Sequence, residues 1–198
     1  DKRFKYVRNE RNLGRVANYR KGLFVHASGD YVLNLDGDDY LIDGNFVKNA
    51  ANILDENPNV VFFIANCFTQ YNNLSDWMSF ESDQNMSKIM NGVAFVEDFF
   101  RGRQFFYHLS CLYRRKNAID LDFYKIDSVW TDGLSLFNLA CHGDVAVCNS
   151  AVGVWRLHGE NESTKFYKNA NFSDIYEVVD HIFSMHPVIS RKAVDYFR

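Results

Sequence analysis

Val60-Val61-Phe62-Phe63-Ile64 is an unbroken apolar run with no polar face. Such a run predicts a strand buried on both sides, as in a sheet packed between helices. The preceding segments fit that arrangement. Phe4-Lys5-Tyr6-Val7-Arg8 reads as a short strand. A helix over about Gly14 to Ala27 follows, with Val16, Leu23, Phe24 and Ala27 at helical spacing and Gly29 as its stop. Tyr31 to Leu35 is a strand by apolar and β-branched content, and Asp43 is placed to cap a helix over about Gly44 to Leu54. Strand and helix therefore alternate in the first third, and the expected class is α/β.

The later part is more mixed. Thr69 to Asn91 is polar and reads as a long loop, followed by a helix near Gly92 to Phe100 and a strand over Phe105 to Tyr113. Trp130 to His142 is helical, with Gly143 as its stop. Val145 to Cys148 and Val152 to Arg156 read as two short strands. Ile175, Val179, Ile182 and Phe183 share one face of a helix in the tail. Hydrophobic residues make up 47% of the 198, enough for one domain with a real core.

The chemistry concentrates where the Tyr31–Leu35 strand ends. Asp36-Gly37-Asp38-Asp39 puts three carboxylates in four residues at the carboxyl end of a strand, where α/β sheets bind ligands. Like charges so close together call for a cation, and Mg²⁺ or Mn²⁺ bound by a few carboxylates plus substrate phosphates would supply it. A solvated turn is the plainer reading. An EF-hand is excluded, because Leu41 stands where that loop needs glycine. A haloacid-dehalogenase-type phosphatase would use Asp36 as nucleophile and Asp38 as acid/base, but Asp39-Tyr40 stands where that family has Gly-Thr.

Three further sites carry candidate chemistry. Asp132 lies at or near the start of a helix, where it could cap the helix or act as a general base. Arg156 and His158 fall on the same side of a strand and together suit a diphosphate, with His158 also able to ligate a metal. Arg114-Arg115 follows an apolar stretch and could grip an anionic group. The net charge of −3 gives no electrostatic footprint for nucleic acid. Four cysteines without a C-x-x-C pair argue against structural zinc and for a reduced, intracellular protein. No apolar run reaches the length of a membrane span, and the charged opening Asp1-Lys2-Arg3 is unlike a signal peptide.

Taken in order, these pieces resemble the family 2 glycosyltransferases of the GT-A fold. Asn12-Leu13-Gly14-Arg15 with Asn18 is similar to the family's N-x-G-x-x-x-A-x-N pattern. Ala27-Ser28-Gly29-Asp30-Tyr31 leading to Leu35-Asp36-Gly37-Asp38-Asp39 resembles its strand and acidic turn. Thr131-Asp132 stands in place of its Glu-Asp pair, and Arg156-Leu157-His158 with Ser163 resembles its closing R-x-H…S. The resemblance covers about Tyr6 to Ser163.

It implies a GT-A (Rossmann-like) mixed sheet flanked by helices over residues 1–164, with a helical extension over 165–198. The family's opening units, with an Asp that reads the base and an Asp-Asp-x-Ser-x-Asp turn, do not precede Asp36, so the domain is expected to be incomplete at its N-terminus. It further implies an inverting hexosyltransferase with Mn²⁺ or Mg²⁺. A nucleotide-sugar, by family habit a UDP-sugar, would be the donor, and a saccharide or lipid-linked acceptor would receive the sugar in bacterial cell-surface polysaccharide synthesis. Asp36 would hold the ribose side and Asp38 and Asp39 the metal and diphosphate. Asp132 would be the base, His158 would sit near the diphosphate or metal with Arg156, and Arg114 would meet the acceptor. The expected location is the cytoplasm, with peripheral association at the inner membrane face as a further reading of the tail. A truncated, non-catalytic transferase domain is the other alternative.

Overall fold

The computed structural model describes residues 2–71, 77–78, 87–105, 107–162, 164–165, 180–184 and 186–189. Their elements run α1 (Arg15–Lys21), a π-helical turn (Gly22–His26), β1 (Tyr31–Leu33), β2 (Tyr40–Leu41), α2 (Phe46–Glu56) and β3 (Val60–Tyr71). They continue with β4 (Trp77–Met78), β5 (Ser87–Asn91), α3 (Gly92–Phe100), a 3₁₀ turn (His108–Ser110) and β6 (Cys111–Arg114). The last are α4 (Arg115–Asp120), α5 (Thr131–Ala140) and β7 (Asp144–Leu157).

The strands form one seven-stranded sheet among the described residues, with the path β1-β6-β3-β7-β2. Its spine is the parallel pair β3–β7; every other pairing is antiparallel. Each long strand is flanked by two short ones in succession. β6 lies on the first half of β3 and β4 on its far end. β5 lies on the first half of β7, and β2 pairs with Val154 and Gly153 beyond it. The change of neighbours coincides with register shifts between Ala65 and Cys67.

The Val60–Ile64 run is buried on both faces as expected, with every member 3% exposed or less. Phe62 and Ile64 join Tyr113, Val145 and the inward residues of α1, α3 and α5 in the larger core. Val60 and Phe63 join Leu112, Ala146 and the Phe46, Ala50 and Leu54 stripe of α2 in the smaller one. The expected α/β class, a mixed sheet flanked by helices, is the architecture found.

Several local expectations are corrected. Phe4 to Arg8 forms no strand; no described strand pairs with it, and Phe4 and Tyr6 are more than three-quarters exposed. Asp43 organises the turn before α2 rather than capping it: its Oδ1 accepts from the Asn45 N–H at 2.8 Å, and the helix begins at Phe46. The expected loop after Thr69 contains β5 and the end of β3, because pairing with β7 outweighs the polar composition of Ser87–Asn91. In the Phe105–Tyr113 stretch only Cys111 onward is strand. The two expected strands near the end are one, β7, whose irregular middle retains its pairing to β3. Helix α4 has no sequence-based counterpart. Of the tail face, Ile182 and Phe183 are in a helical turn and pack on the main core, while Ile175 and Val179 lie outside the described residues. Among the described residues no helix is long and apolar enough to cross a membrane.

Gly92 shows how tightly α3 meets the end of α5. A Cβ there would lie 1.9 Å from the Ala140 carbonyl oxygen and 2.4 Å from that of Gly143. Both obstacles are backbone, so neither can rotate away. Gly92→Ala is expected to destabilise the fold by about 1–3 kcal/mol, read as a lower urea midpoint with an unchanged slope.

Candidate active site

The acidic turn closes on itself at the end of β1, where the Asp39 N–H donates to the Asp36 carbonyl at 3.1 Å. Each carboxylate then meets a different element. Asp36 accepts from the Tyr19 hydroxyl of α1, 2.8 Å from both carboxylate oxygens. Burial, and then the Asp36 charge, push the Tyr19 phenol up, so it stays a donor. Asp38 Oδ2 accepts from His158 Nε2 and Asn161 Nδ2, both at 3.1 Å. His158 Nδ1 accepts from the Glu160 N–H at 3.2 Å, which leaves Nε2 as the protonated nitrogen that donates to Asp38. Asp39 Oδ1 accepts from the Arg156 N–H at 3.0 Å, and Arg156 Nε donates to the Asp38 carbonyl. Arg156 and His158 thus do share a side, as the strand alternation predicts, and both address the turn.

Asp132 faces this turn from another part of the chain. It lies in the first turn of α5, whose N-cap position is Trp130, so the capping reading does not hold. Its side chain is 22% exposed and lies 4.0 Å from His108 Nδ1. Burial lowers the His108 pKa and the nearby Asp132 charge only partly offsets it, so the imidazole is neutral. His108 Nε2 pairs with the Tyr124 hydroxyl at 2.9 Å, and Tyr124 and Tyr113 both reach Asn34 Oδ1. The loop before α5 is tied to α1 by Arg15, whose guanidinium donates to the Ser128 and Val129 carbonyls at 3.0 and 2.8 Å. Gly14 starts α1 at φ 79°, a left-handed conformation suited to glycine, with its N–H held by Asn12 Oδ1.

These groups surround one cleft of about 770 Å³. Asp36, Asp38, Asp39 and Asp132 all line it, together with Arg15, Tyr19, Asn34 and His108. Of the other expected site residues, Arg156 and His158 do not line the cleft but hold its acidic turn from behind, whereas Arg114 touches neither the cleft nor the turn. It faces the first residue of β1, away from the acidic end, and its guanidinium donates to the Leu54, Asn57 and Val60 carbonyls. Its role is to satisfy the C-terminus of α2, not to meet a ligand. A second arginine in sequence gave no hint of that, because the carbonyls it serves come from about 60 residues earlier.

Three site residues escape sequence reading. Tyr19 shares the α1 face of Arg15 and Leu23 by its spacing, a signal that could have placed it. Asn161 clips the turn to β7, bridging Asp38, the Arg156 carbonyl and the His158 N–H. Neither it nor His108 lies in a motif that marks it. Ser163 lies outside the described residues.

Among the described residues no group of three or more His, Cys, Asp and Glu side chains converges to hold a metal unaided. The turn nonetheless suits a cation completed by a ligand's oxygens. Burial, followed by the Asp38 and Asp36 charges, pushes the Asp39 carboxyl up to about 6, against the Arg156 N–H that lowers it.

The model of glycosyl transferase family 2 matches residues 1–118. A crystal structure of S. aureus TarS 1-349 is similar with a TM-score of 0.49 and 18% identity, over 79% of this chain and 40% of that one. The chain therefore spans about two fifths of that structure's length. No curated protein matches.

The Asp39 environment generates a stability test in metal-free buffer with chelator. The unfolded chain loses this proton near 3.8 and the folded one near 6. Between those values the folded state binds more protons, so stability falls as pH rises through the window and levels off above it. Asp39→Asn preserves the acceptor for the Arg156 N–H while removing the charge. Thermal melts are expected to show the variant a few degrees more stable than the parent at pH 7.5, with most of the difference gone by pH 4.

Proposed function

Because the chain belongs to glycosyl transferase family 2, whose model covers more than half of it, we propose that it transfers a sugar from a UDP-sugar to a hydroxyl of a glycan or lipid-linked acceptor, with inversion, in cell-surface polysaccharide synthesis. The observation that carries this reading is the single cleft holding Asp36, Asp38 and Asp39 together with Asp132, residues more than 90 positions apart in sequence. One end gathers three carboxylates; the other holds a carboxylate beside a neutral imidazole.

In this reading Asp38 and Asp39 would hold Mn²⁺ or Mg²⁺, and His158 and Arg156 would hold the turn and help to bind the diphosphate. The cation supplies charge neutralisation for the departing nucleoside diphosphate. Asp36, fixed by Tyr19, addresses the ribose side. Asp132 accepts the proton of the acceptor hydroxyl as its oxygen attacks the anomeric carbon from the face opposite the diphosphate. The anomeric C–O bond to phosphate breaks with its electron pair staying on the nucleoside diphosphate. His108 needs to stay neutral for this, since an imidazolium beside Asp132 would hold the carboxylate's charge and weaken it as a base.

The phosphatase alternative loses its support with the family assignment. Its nucleophile would be Asp36, whose two carboxylate oxygens share the Tyr19 hydroxyl.

Two variants separate binding from chemistry. Asp132→Asn is expected to retain Mn²⁺-dependent UDP binding by calorimetry and to lose transfer by at least about 100-fold. Asp38→Asn is expected to lose the metal-dependent part of UDP binding. Near-normal turnover of Asp132→Asn would remove that residue from the base role, and metal-independent UDP binding by the parent would remove the cation from the turn.

A further inference from the structure

The cleft extends past the acidic turn along the far halves of β3 and β7, and there its character changes. Thr69 and Tyr71 of β3 and Trp155 of β7 line it, joined by Tyr107 and Phe105 from the segment before the 3₁₀ turn. Register explains the grouping. Thr69 pairs with Trp155 across the parallel ladder and Tyr71 lies two residues on, so these side chains share a face of the sheet. Tyr107 and Trp155 pack with ring centroids 5.8 Å apart at 55°. Both are only partly buried, and Tyr71 and Phe105 are 38% and 46% exposed. The core therefore does not account for this wall: its rings face the cleft.

We propose that this wall is the acceptor platform and that it binds an uncharged pyranose ring stacked on Trp155 and Tyr107. The inference rests on the transferase reading for its position: Tyr107 is the chain neighbour of His108, which lies 4.0 Å from Asp132. Its ligand class comes from the wall itself. Tyr71, Tyr107 and Trp155 each combine an apolar ring face with a polar edge, which suits a ligand with C–H faces and hydroxyl rims. Glu160 lines the same space with a carboxylate able to accept from sugar hydroxyls.

Among the described residues the charge balance opposes an anionic ring. The described residues lining the cleft include six carboxylates, Asp36, Asp38, Asp39, Asp132, Glu160 and Glu162, against the single guanidinium of Arg15. That guanidinium is directed at backbone carbonyls. Lys165 at the rim pairs with Glu160 at 3.2 Å and Glu162 at 3.8 Å, and so offsets them only locally. A cation at the turn would serve the donor, leaving Asp132 and the rim to repel a carboxylate or phosphate on the acceptor ring.

Saturation-transfer NMR on the full chain with UDP and Mg²⁺ tests this. The probes are cellobiose, maltose, lactose and N,N′-diacetylchitobiose, each compared with a form whose terminal C6 is oxidised to a uronate. At least one neutral disaccharide is expected to receive saturation at its ring C–H protons, and its uronate form roughly fivefold less. Trp155→Ala is expected to cut the sugar signal by roughly fivefold and Trp155→Phe by no more than about twofold. The uridine signals of UDP report that both variants are folded. If Trp155→Ala loses uridine signals too, Tyr71→Ala at the exposed rim replaces it and must weaken sugar alone. No signal from any disaccharide, undiminished signal in the folded variant, or equal binding of the uronate form overturns the proposal. Sugar signals without uridine signals would instead count against the donor reading and leave the platform standing.

Discussion

The parallel pairing of β3 with β7 is the constraint on which everything else depends. It joins a strand in the first third of the chain to one near residue 150, and no local turn can make such a contact. Both cores are built on its two faces, and every short strand but β1, which pairs with β6, finds its partner along one of its edges. The register shifts between Ala65 and Cys67 then divide the ladder into two parts. The first part is packed between helices, as the apolar composition of Val60–Ile64 requires. The second carries Thr69, Tyr71 and Trp155, which turn toward an open cleft. One ladder thus serves stability at one end and recognition at the other.

The acidic turn is attached to that ladder by hydrogen bonds that position its charges without neutralising them. Tyr19 and Asn161 are neutral donors, and His158 donates through one nitrogen while the other accepts. Arg156 gives the turn its backbone N–H and its Nε, the latter to a carbonyl and not to a carboxylate. Full ion pairing would have stabilised the resting fold and occupied the oxygens a ligand needs. The raised Asp39 pKa comes first from burial and then from the Asp38 and Asp36 charges, so the ionised turn costs the fold stability.

What the sequence made legible follows from the range of each interaction. The Val60–Ile64 run, the Gly92–Phe100 helix and the Asp36–Asp39 turn are local patterns, and each appears where its residues predict. Arg156 and His158 could be placed on one side because strand alternation is strict. Ser87–Asn91 reads as loop because its strand character comes entirely from β7. Phe4–Arg8 fails for the converse reason: strand propensity without a described partner gives no strand. Arg114 misleads in the same way, because charge in sequence does not reveal whether carbonyls of a distant helix end will take it up. His108 and Asn161 carry no motif, and their importance arises only when the fold brings them to Asp132 and Asp38.

Register ties the two halves of the cleft together. Successive residues of a strand point to opposite faces, so a slip of one position along β7 would exchange the directions of Trp155 and Arg156. The aromatic wall would lose its centre at the same moment that the acidic turn lost its anchor. The irregular register near Asn66 and the bond from the Arg156 N–H to Asp39 both oppose that slip, one from the ladder and one from the turn. The turn is therefore not merely hung on a finished sheet. By accepting from β7 in one register, Asp39 helps to fix which side chains face the cleft, and a substitution that keeps its acceptor oxygen disturbs charge without disturbing recognition. Replacing that acceptor with an alkyl group removes both the charge and the anchor, and so acts at both ends of the cleft.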